Sequence, residues 1–354
     1  MPPPFPAPPA ALTPPFPAPP VTEPPPPHLA PTPTRAAVLA RHASLAGRLR
    51  AVRIASEALG VTKWVYVYEP PGYDGRGGLP LVWLFRGHER EWVNIREDGS
   101  RVRATAIEDL DRGIVRGALP PVVAVMPGLA STDNHVHSAG LDMAGPLPQG
   151  KRGLGTGQFW TYLSQEVIPR FDARYRPSQR LAFGFSLGGY VVSLLAFGWP
   201  GYLDHAAFYD ALFCWPGHDD PRVPGHQPHA DRIWAQSSVF TPALGLPPRP
   251  ADLLDRCNTT DWLLNASPDT LDAMRRTTFW IQCAGGDGGR GNRDRAHMLV
   301  RELQMRGQRL GYENVVLAPF AQHNWHWCDV FFGQTLLSIL APHAPAMLRT
   351  GAPA

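Results

Sequence analysis

Arg180-Leu-Ala-Phe-Gly-Phe-Ser-Leu-Gly-Gly-Tyr-Val-Val-Ser-Leu-Leu-Ala-Phe197 is the stretch whose reading decides the fold. The apolar run Arg180–Phe183 reads as a strand, and the small apolar stretch Tyr190–Phe197 reads as a helix. Gly184-Phe185-Ser186-Leu187-Gly188 is left as the turn between them. So short a passage from strand to helix forces a sharp bend. A Cβ at position 184 or 188 would collide with the adjoining strand or helix, so glycine is required at both. The serine between them is pushed onto a strained turn with its hydroxyl presented outward, the form of a nucleophile elbow. Leu187 opens the helix, so its N–H has no acceptor within the helix. With the helix dipole it faces the place where negative charge would develop on a carbonyl oxygen beside Ser186. The pentapeptide alone is weakly specific, and its flanks separate this reading from that of a plain glycine-rich turn.

Outward from the turn, strands and helices alternate. Leu79–Phe85 and Pro120–Met126 are continuous apolar runs suited to strands buried on both faces, with a helix around Ala104–Arg116 between them. Arg50–Ile54 and Thr62–Tyr68 alternate in polarity and predict a hairpin, preceded by a short amphipathic helix over Arg35–Leu49. Phe159–Tyr175 reads as a helix and His205–Tyr209 as a strand. Further on come a strand at Thr278–Cys283, a helix at Arg293–Met305, a last strand at Asn314–Ala318 and a closing helix at Trp325–Leu340. This order predicts an α/β fold with a mostly parallel central sheet and helices on both faces. Between about residues 212 and 276 the alternation lapses into Pro-, His- and Asp-rich sequence with Pro268–Arg275 as a helical candidate, read as an inserted, cap-like segment beside the pocket. Residues 1–33 are proline-rich and repeat Pro-Pro-Phe-Pro-Ala-Pro-Pro, so an extended tail precedes a single domain over 34–354. Spacer and ligand for an aromatic-lined groove are the two readings of that tail.

Composition excludes several classes. The 354 residues carry a formal net charge of +3, and Lys63 and Lys151 are the only lysines. No basic stripe with interleaved aromatics is present, so no nucleic-acid partner is expected. No run approaches membrane-spanning length and the N-terminal residues lack the pattern of a secretory signal, so no membrane association and a cytoplasmic location are expected. Oligomeric state is not legible. Cys214, Cys257, Cys283 and Cys328 lack metal-knuckle or redox spacing and read as free thiols, with a Cys214–Cys257 pairing as the alternative. His135 and His137, and the group His218, Asp219, Asp220, His226, His229 and Asp231, lack metal-ligand spacing, so no metal and no cofactor are expected.

An alcohol is a poor nucleophile at neutral pH and needs a base held in the correct tautomer by an anion. On this chain order the acid and then the histidine follow the serine, each after a late strand. His323 occupies the last such loop, in Pro319-Phe-Ala-Gln-His-Asn-Trp325, with His326 as the competitor. Asp287, in Cys283-Ala-Gly-Gly-Asp-Gly-Gly289, is the expected acid, with Asp210 and Asp294 as alternatives. A second oxyanion donor is expected in Arg86-Gly87-His88-Glu89, at the His88 amide beside that of Leu187.

The run Tyr66–Tyr73, the Gly87 loop, Gly184–Gly189, Asp287 and His323-Asn-Trp325 together resemble the esterase D and enterochelin-esterase-like family of α/β-hydrolases. The similarity covers about Arg50 to Leu340 apart from the inserted segment. It implies carboxylic-ester hydrolysis, and since no broad apolar lid is evident in the sequence, a small-molecule ester with a small or aromatic acyl group, cleaved through an acyl-enzyme, is expected. Arg86 stands where this family usually has histidine, and Tyr209-Asp210 where a small residue often follows. An acyltransferase with the same triad and a non-catalytic binding module on a hydrolase scaffold are the competing readings. Trp160, Phe213, Trp215, Trp234, Trp262 and Trp325 read as packing residues or as walls of an aromatic acyl pocket.

Overall fold

The computed structural model describes residues 33–213, 241–245, 257–286 and 292–341. The expected proline-rich tail, Cys214, Asp287 and most of the inserted segment with its His and Asp cluster, Trp215 and Trp234 lie outside these residues.

Eight strands form one sheet in the order β1-β2-β4-β3-β5-β6-β7-β8. β1 (Arg48–Ala55) and β2 (Thr62–Glu69) make the expected hairpin, and β2 is antiparallel to β4 (Val123–Pro127). From β4 the sheet runs parallel through β3 (Leu81–Phe85), β5 (Arg180–Phe185), β6 (His205–Tyr209), β7 (Thr278–Gln282) and β8 (Arg309–Leu310). The expected strand at Asn314–Ala318 is replaced by the two-residue β8 earlier in the chain, while Val316 makes only a single bridge to Cys283.

Period-2 alternation builds a core on each face of the sheet. Trp83, Phe85, Val125, Ala182, Phe208 and Ile281 belong to one, while Val82, Leu84, Ala124, Phe183, Tyr209 and Trp280 belong to the other. On the first face pack α5 (Leu187–Gly198), α8 (Asn292–Met305) and a long helix. That helix begins as α3 (Phe159–Thr161), passes through a π-helical turn at Tyr162–Val167 and continues as α4 (Ile168–Tyr175). The other face is covered by α1 (Arg35–Arg41), α2 (Ala106–Val115) and α9 (Trp325–Leu340). α1 is shorter than the expected Arg35–Leu49, because a 3₁₀ turn at His42–Ser44 follows it and β1 starts at Arg48. α6 (Thr259–Leu264) and α7 (Pro268–Met274) follow the inserted region, and Ser193 Oγ bonds Thr259 Oγ1 at 2.7 Å, tying α6 to α5.

α2 starts in a reciprocal capping box between Thr105 and Glu108. The loop before it is fastened to α9 by Arg101, whose guanidinium holds Asp329 in two bonds of 2.6 and 2.8 Å. Lys63 is buried among apolar side chains, which pushes its ammonium pKa down to about 8. It donates to the carbonyls of Ala130 at 2.6 Å and Gly153 at 3.2 Å, pinning the long loop after β4.

Candidate active site

Ser186 leaves β5 with φ 51° and ψ −117°, and α5 begins at the next residue. Its amide donates to Tyr209 O at 3.1 Å, while its carbonyl accepts from Gly189 N and Leu212 N, each at 3.0 Å. These bonds tie the turn to the end of β6. A Cβ on Gly184 would stand 2.3 Å from Gly188 O, and one on Gly188 would stand 2.0 Å from Phe85 O. The backbone contacts forbid a side chain at either place, and the helix would have to move away from the sheet to admit one. The Leu187 N–H is the first of α5 and has no acceptor in the helix.

His323 lies in the loop before α9. That loop is fixed by Tyr209 Oη donating to Gln322 O at 2.7 Å and by Gly285 N donating to Ala321 O at 3.0 Å. The imidazole sits against Phe185, the residue before the serine, with ring centroids 4.8 Å apart. Its Nδ1 is in a short hydrogen bond with Asp210 Oδ2. The other Asp210 oxygen accepts from Ala284 N at 3.2 Å, and the Asp210 backbone is held by Gln282 O and Asn292 Nδ2. Asp210 is buried and has φ 41°, so the chain holds this carboxylate in a left-handed conformation at the end of β6, beside the elbow.

Asp210 is thus the carboxylate on His323 among the described residues, where the sequence favoured Asp287, which lies outside them. Asp294 sits in the first turn of α8. His326 is in the first turn of α9, where its amide donates to Ser100 Oγ at 3.0 Å, and its ring meets Trp327 edge-on. The sequence offered Asp210 only as an alternative, because a left-handed aspartate at a strand end has no signature in residue type.

The His88 amide departs from expectation. It donates to Glu91 Oε2 at 2.7 Å, and so does the Gly87 amide, also at 2.7 Å. Glu91 N in turn donates to His88 O at 3.2 Å, closing a tight turn. A carboxylate three residues on satisfies the first amides of that turn as in one half of a capping box, so neither amide is open to an oxyanion in this structure. The spacing from position 88 to position 91 carried that signal. Around the turn, His88 Nδ1 lies 3.0 Å from Glu89 Oε2 and His88 Nε2 lies 3.2 Å from Thr132 O. Burial holds the His88 ring well below the usual histidine pKa, and His137, packed on Gly87, is lowered for the same reason.

The 138–141 loop turns back over the elbow. Ala139 and Leu141 join Leu187, Tyr190, Leu194, Leu212 and Ala243 in an apolar cluster around the start of α5. Where they are described, the aromatic residues weighed as pocket walls all pack on neighbours, Trp160 and Trp262 being only partly buried. Phe213 is buried against Phe208, Trp262 lies against Gly198, Trp160 packs on Trp199, and Trp325 packs on Trp92 and Phe185. His135 lies with Asp133 and Lys151 at the surface. Among the described residues no helix is long and apolar enough to cross a membrane, and no group of three or more His, Cys, Asp or Glu side chains is arranged to hold a metal ion.

The sheet order, the elbow and the helices on both faces define an α/β-hydrolase. The model of the family described as putative esterase matches residues 56–341, and the chain belongs to this family. It is a carboxylic-ester hydrolase by that membership. Among solved structures it is similar to a ferulic acid esterase at 14% identity and TM-score 0.60, covering 84% of this chain and 99% of that one. It is also similar to an S-formylglutathione hydrolase from Agrobacterium tumefaciens at 16% identity and TM-score 0.53, covering 82% and 93%. A third is the fluorophosphonate-binding serine hydrolase F of Staphylococcus aureus, at 14% identity and TM-score 0.54, covering 82% and 97%. At these identities the likeness is one of fold. No curated protein matches the sequence.

Proposed function

We propose that the protein is a serine esterase that hydrolyses small-molecule carboxylic esters through an acyl-enzyme, with Ser186 as nucleophile, His323 as general base and Asp210 as the orienting acid. The observation that carries this reading is the His323–Asp210 hydrogen bond set against Phe185, directly before a serine held at φ 51°. Asp210 bound to Nδ1 leaves Nε2 as the imidazole nitrogen that takes the serine proton, and its charge stabilises the imidazolium formed on attack. The tetrahedral oxyanion is held by the Leu187 N–H with the dipole of α5 behind it. His323 then returns the proton to the departing alkoxide, and water attacking by the reverse path releases the acid.

The apolar cluster of Ala139, Leu141, Leu187 and Leu212 supports a compact acyl site, and short or aromatic acyl groups are the proposed substrates. A panel of chromogenic acetyl, butyryl, feruloyl and palmitoyl esters tests this. Turnover is expected to be fastest with short or aromatic acyl groups and to be lost in Ser186→Ala. A preference for the palmitoyl ester overturns the acyl assignment, and undiminished turnover in Ser186→Ala overturns the mechanism.

A further inference from the structure

Arg86 stands directly after β3, between the strand that leads to the Gly87 turn and the elbow strand. Its guanidinium lies over the Phe185 ring, 5.1 Å from the centroid, and the same ring touches the His323 imidazole at 4.8 Å. The side chain is 20% exposed, and among the described residues its Nε is buried without a hydrogen-bond partner and its nearest carboxylate oxygen, Glu91 Oε1, is 3.9 Å from that nitrogen. The other Glu91 oxygen is engaged by the Gly87 and His88 amides. Arg101, the neighbouring cation over Trp325, is by contrast fully engaged by Asp329 and by the carbonyls of Glu91 and Asn94.

A guanidinium always carries its charge and presents a planar fork of donors that matches a carboxylate or phosphate. Holding one largely out of water with a buried donor unpaired is costly unless an acceptor arrives from elsewhere. His323 gives its proton to the departing alcohol, and Arg86 and His323 contact the same Phe185 ring, which favours the leaving-group portion of the substrate as the source of that acceptor.

Resting on the serine-esterase reading above, we infer that Arg86 is a specificity-determining residue that binds an oxyanionic group, carboxylate or phosphate, on the alcohol portion of the ester. Glu91 serves as the partial counterion of Arg86. Its long contact with Arg86 yields to a ligand, while its bonds to the Gly87 and His88 amides keep the loop in place.

The test compares acetyl esters that differ only in the charge of the alcohol: 3-acetoxybenzoate, neutral 3-acetoxybenzamide and 3-acetoxyphenyl phosphate. The wild-type enzyme is expected to favour at least one anionic ester over the amide by about 10-fold or more in kcat/KM, mainly through KM, with the preference falling as salt is raised. Whichever anion is favoured identifies the group recognised. In Arg86→Gln the anionic-to-neutral ratio is expected to fall to near one, and Arg86→Lys, which keeps the charge but loses the fork, is expected to fall between. If Arg86→Gln does not fold, the Arg86→Lys ratio is decisive by itself. Equal turnover of charged and neutral esters by wild type, or a ratio unchanged in the variants, overturns the Arg86 inference alone. No turnover of any ester together with no labelling of Ser186 by an uncharged fluorophosphonate overturns the esterase reading and this inference with it.

Discussion

Ser186 and Asp210 are two of five non-glycine residues with positive φ among the described residues, and they end adjacent parallel strands. Each left-handed residue costs of order 1–3 kcal/mol, which surrounding structure must offset. Here the offset is visible in the hydrogen bonds that cross between the two turns, Ser186 N to Tyr209 O and Leu212 N to Ser186 O. Replacing Asp210 by Asn leaves the shape but favours the wrong imidazole tautomer. A fall in kcat on the order of 10³- to 10⁴-fold is expected, against a change within a few-fold for Asp287→Asn. The reverse ranking in steady-state assays would return the acid to the loop after β7. Gly188→Ala places a methyl carbon 2.0 Å from Phe85 O, and a loss of about 3 kcal/mol or more in urea unfolding is expected, with activity lost as well. The elbow turn and both of its glycines were legible because the sterics there admit few substitutes. Asp210 was legible only as an alternative, since a backbone conformation rather than a residue type brings it to His323. Glu91 was not singled out because only the spacing from position 88 to position 91 marks it as the acceptor of the His88 amide.

The loops at the ends of β3 and β4 are held by buried polar groups as well as by apolar packing. Arg101 joins the segment after β3 to α9 through Asp329, and removing one partner strands the other charge in the core. Arg101→Met is therefore expected to cost about 3–5 kcal/mol, seen as a lowered denaturation midpoint, and a cost under about 1 kcal/mol would mean that the bridge is dispensable. The His88 turn makes a pH prediction. Its ring stays neutral in the fold well below the ordinary value of 6.5, so beneath that pH the unfolded chain binds a proton that the folded chain does not. Stability is therefore lost as pH falls below about 6.5, and His137, His42 and His205 act with the same sign. His88→Gln keeps a donor for Thr132 O but cannot charge. Its stability difference between pH 7.5 and pH 5.5 is expected to be smaller than the wild-type difference by about 1 kcal/mol, and an identical pH slope would show that His88 titrates normally. Of the elements, the continuous apolar strands were readable to within a few residues, because burial on both faces leaves little choice of composition. The last strand was misplaced for a related reason. Arg309–Leu310 at the sheet edge has little apolar content to mark it, while the more apolar 314–318 run packs beside β7 with only the Val316 bridge.

At the scale of the molecule, a parallel sheet carries its chemistry at the carboxyl ends of its strands, because the crossover helices return the chain to the opposite end each time. Ser186 after β5, Asp210 after β6 and the Gly87 turn after β3 obey this rule, and His323 reaches the same end from the segment beyond β8. The architecture was therefore legible from the alternation of runs alone, whereas the arrangement of polar groups at that end depends on distances set by the whole sheet. The central claim is that this arrangement makes one serine hydroxyl reactive. Intact-mass analysis after brief exposure to an uncharged fluorophosphonate tests it most directly. The account predicts a single adduct located on Ser186, absent in Ser186→Ala and formed far more slowly in His323→Ala. No adduct on wild-type protein, or an adduct that persists in Ser186→Ala, would contradict it.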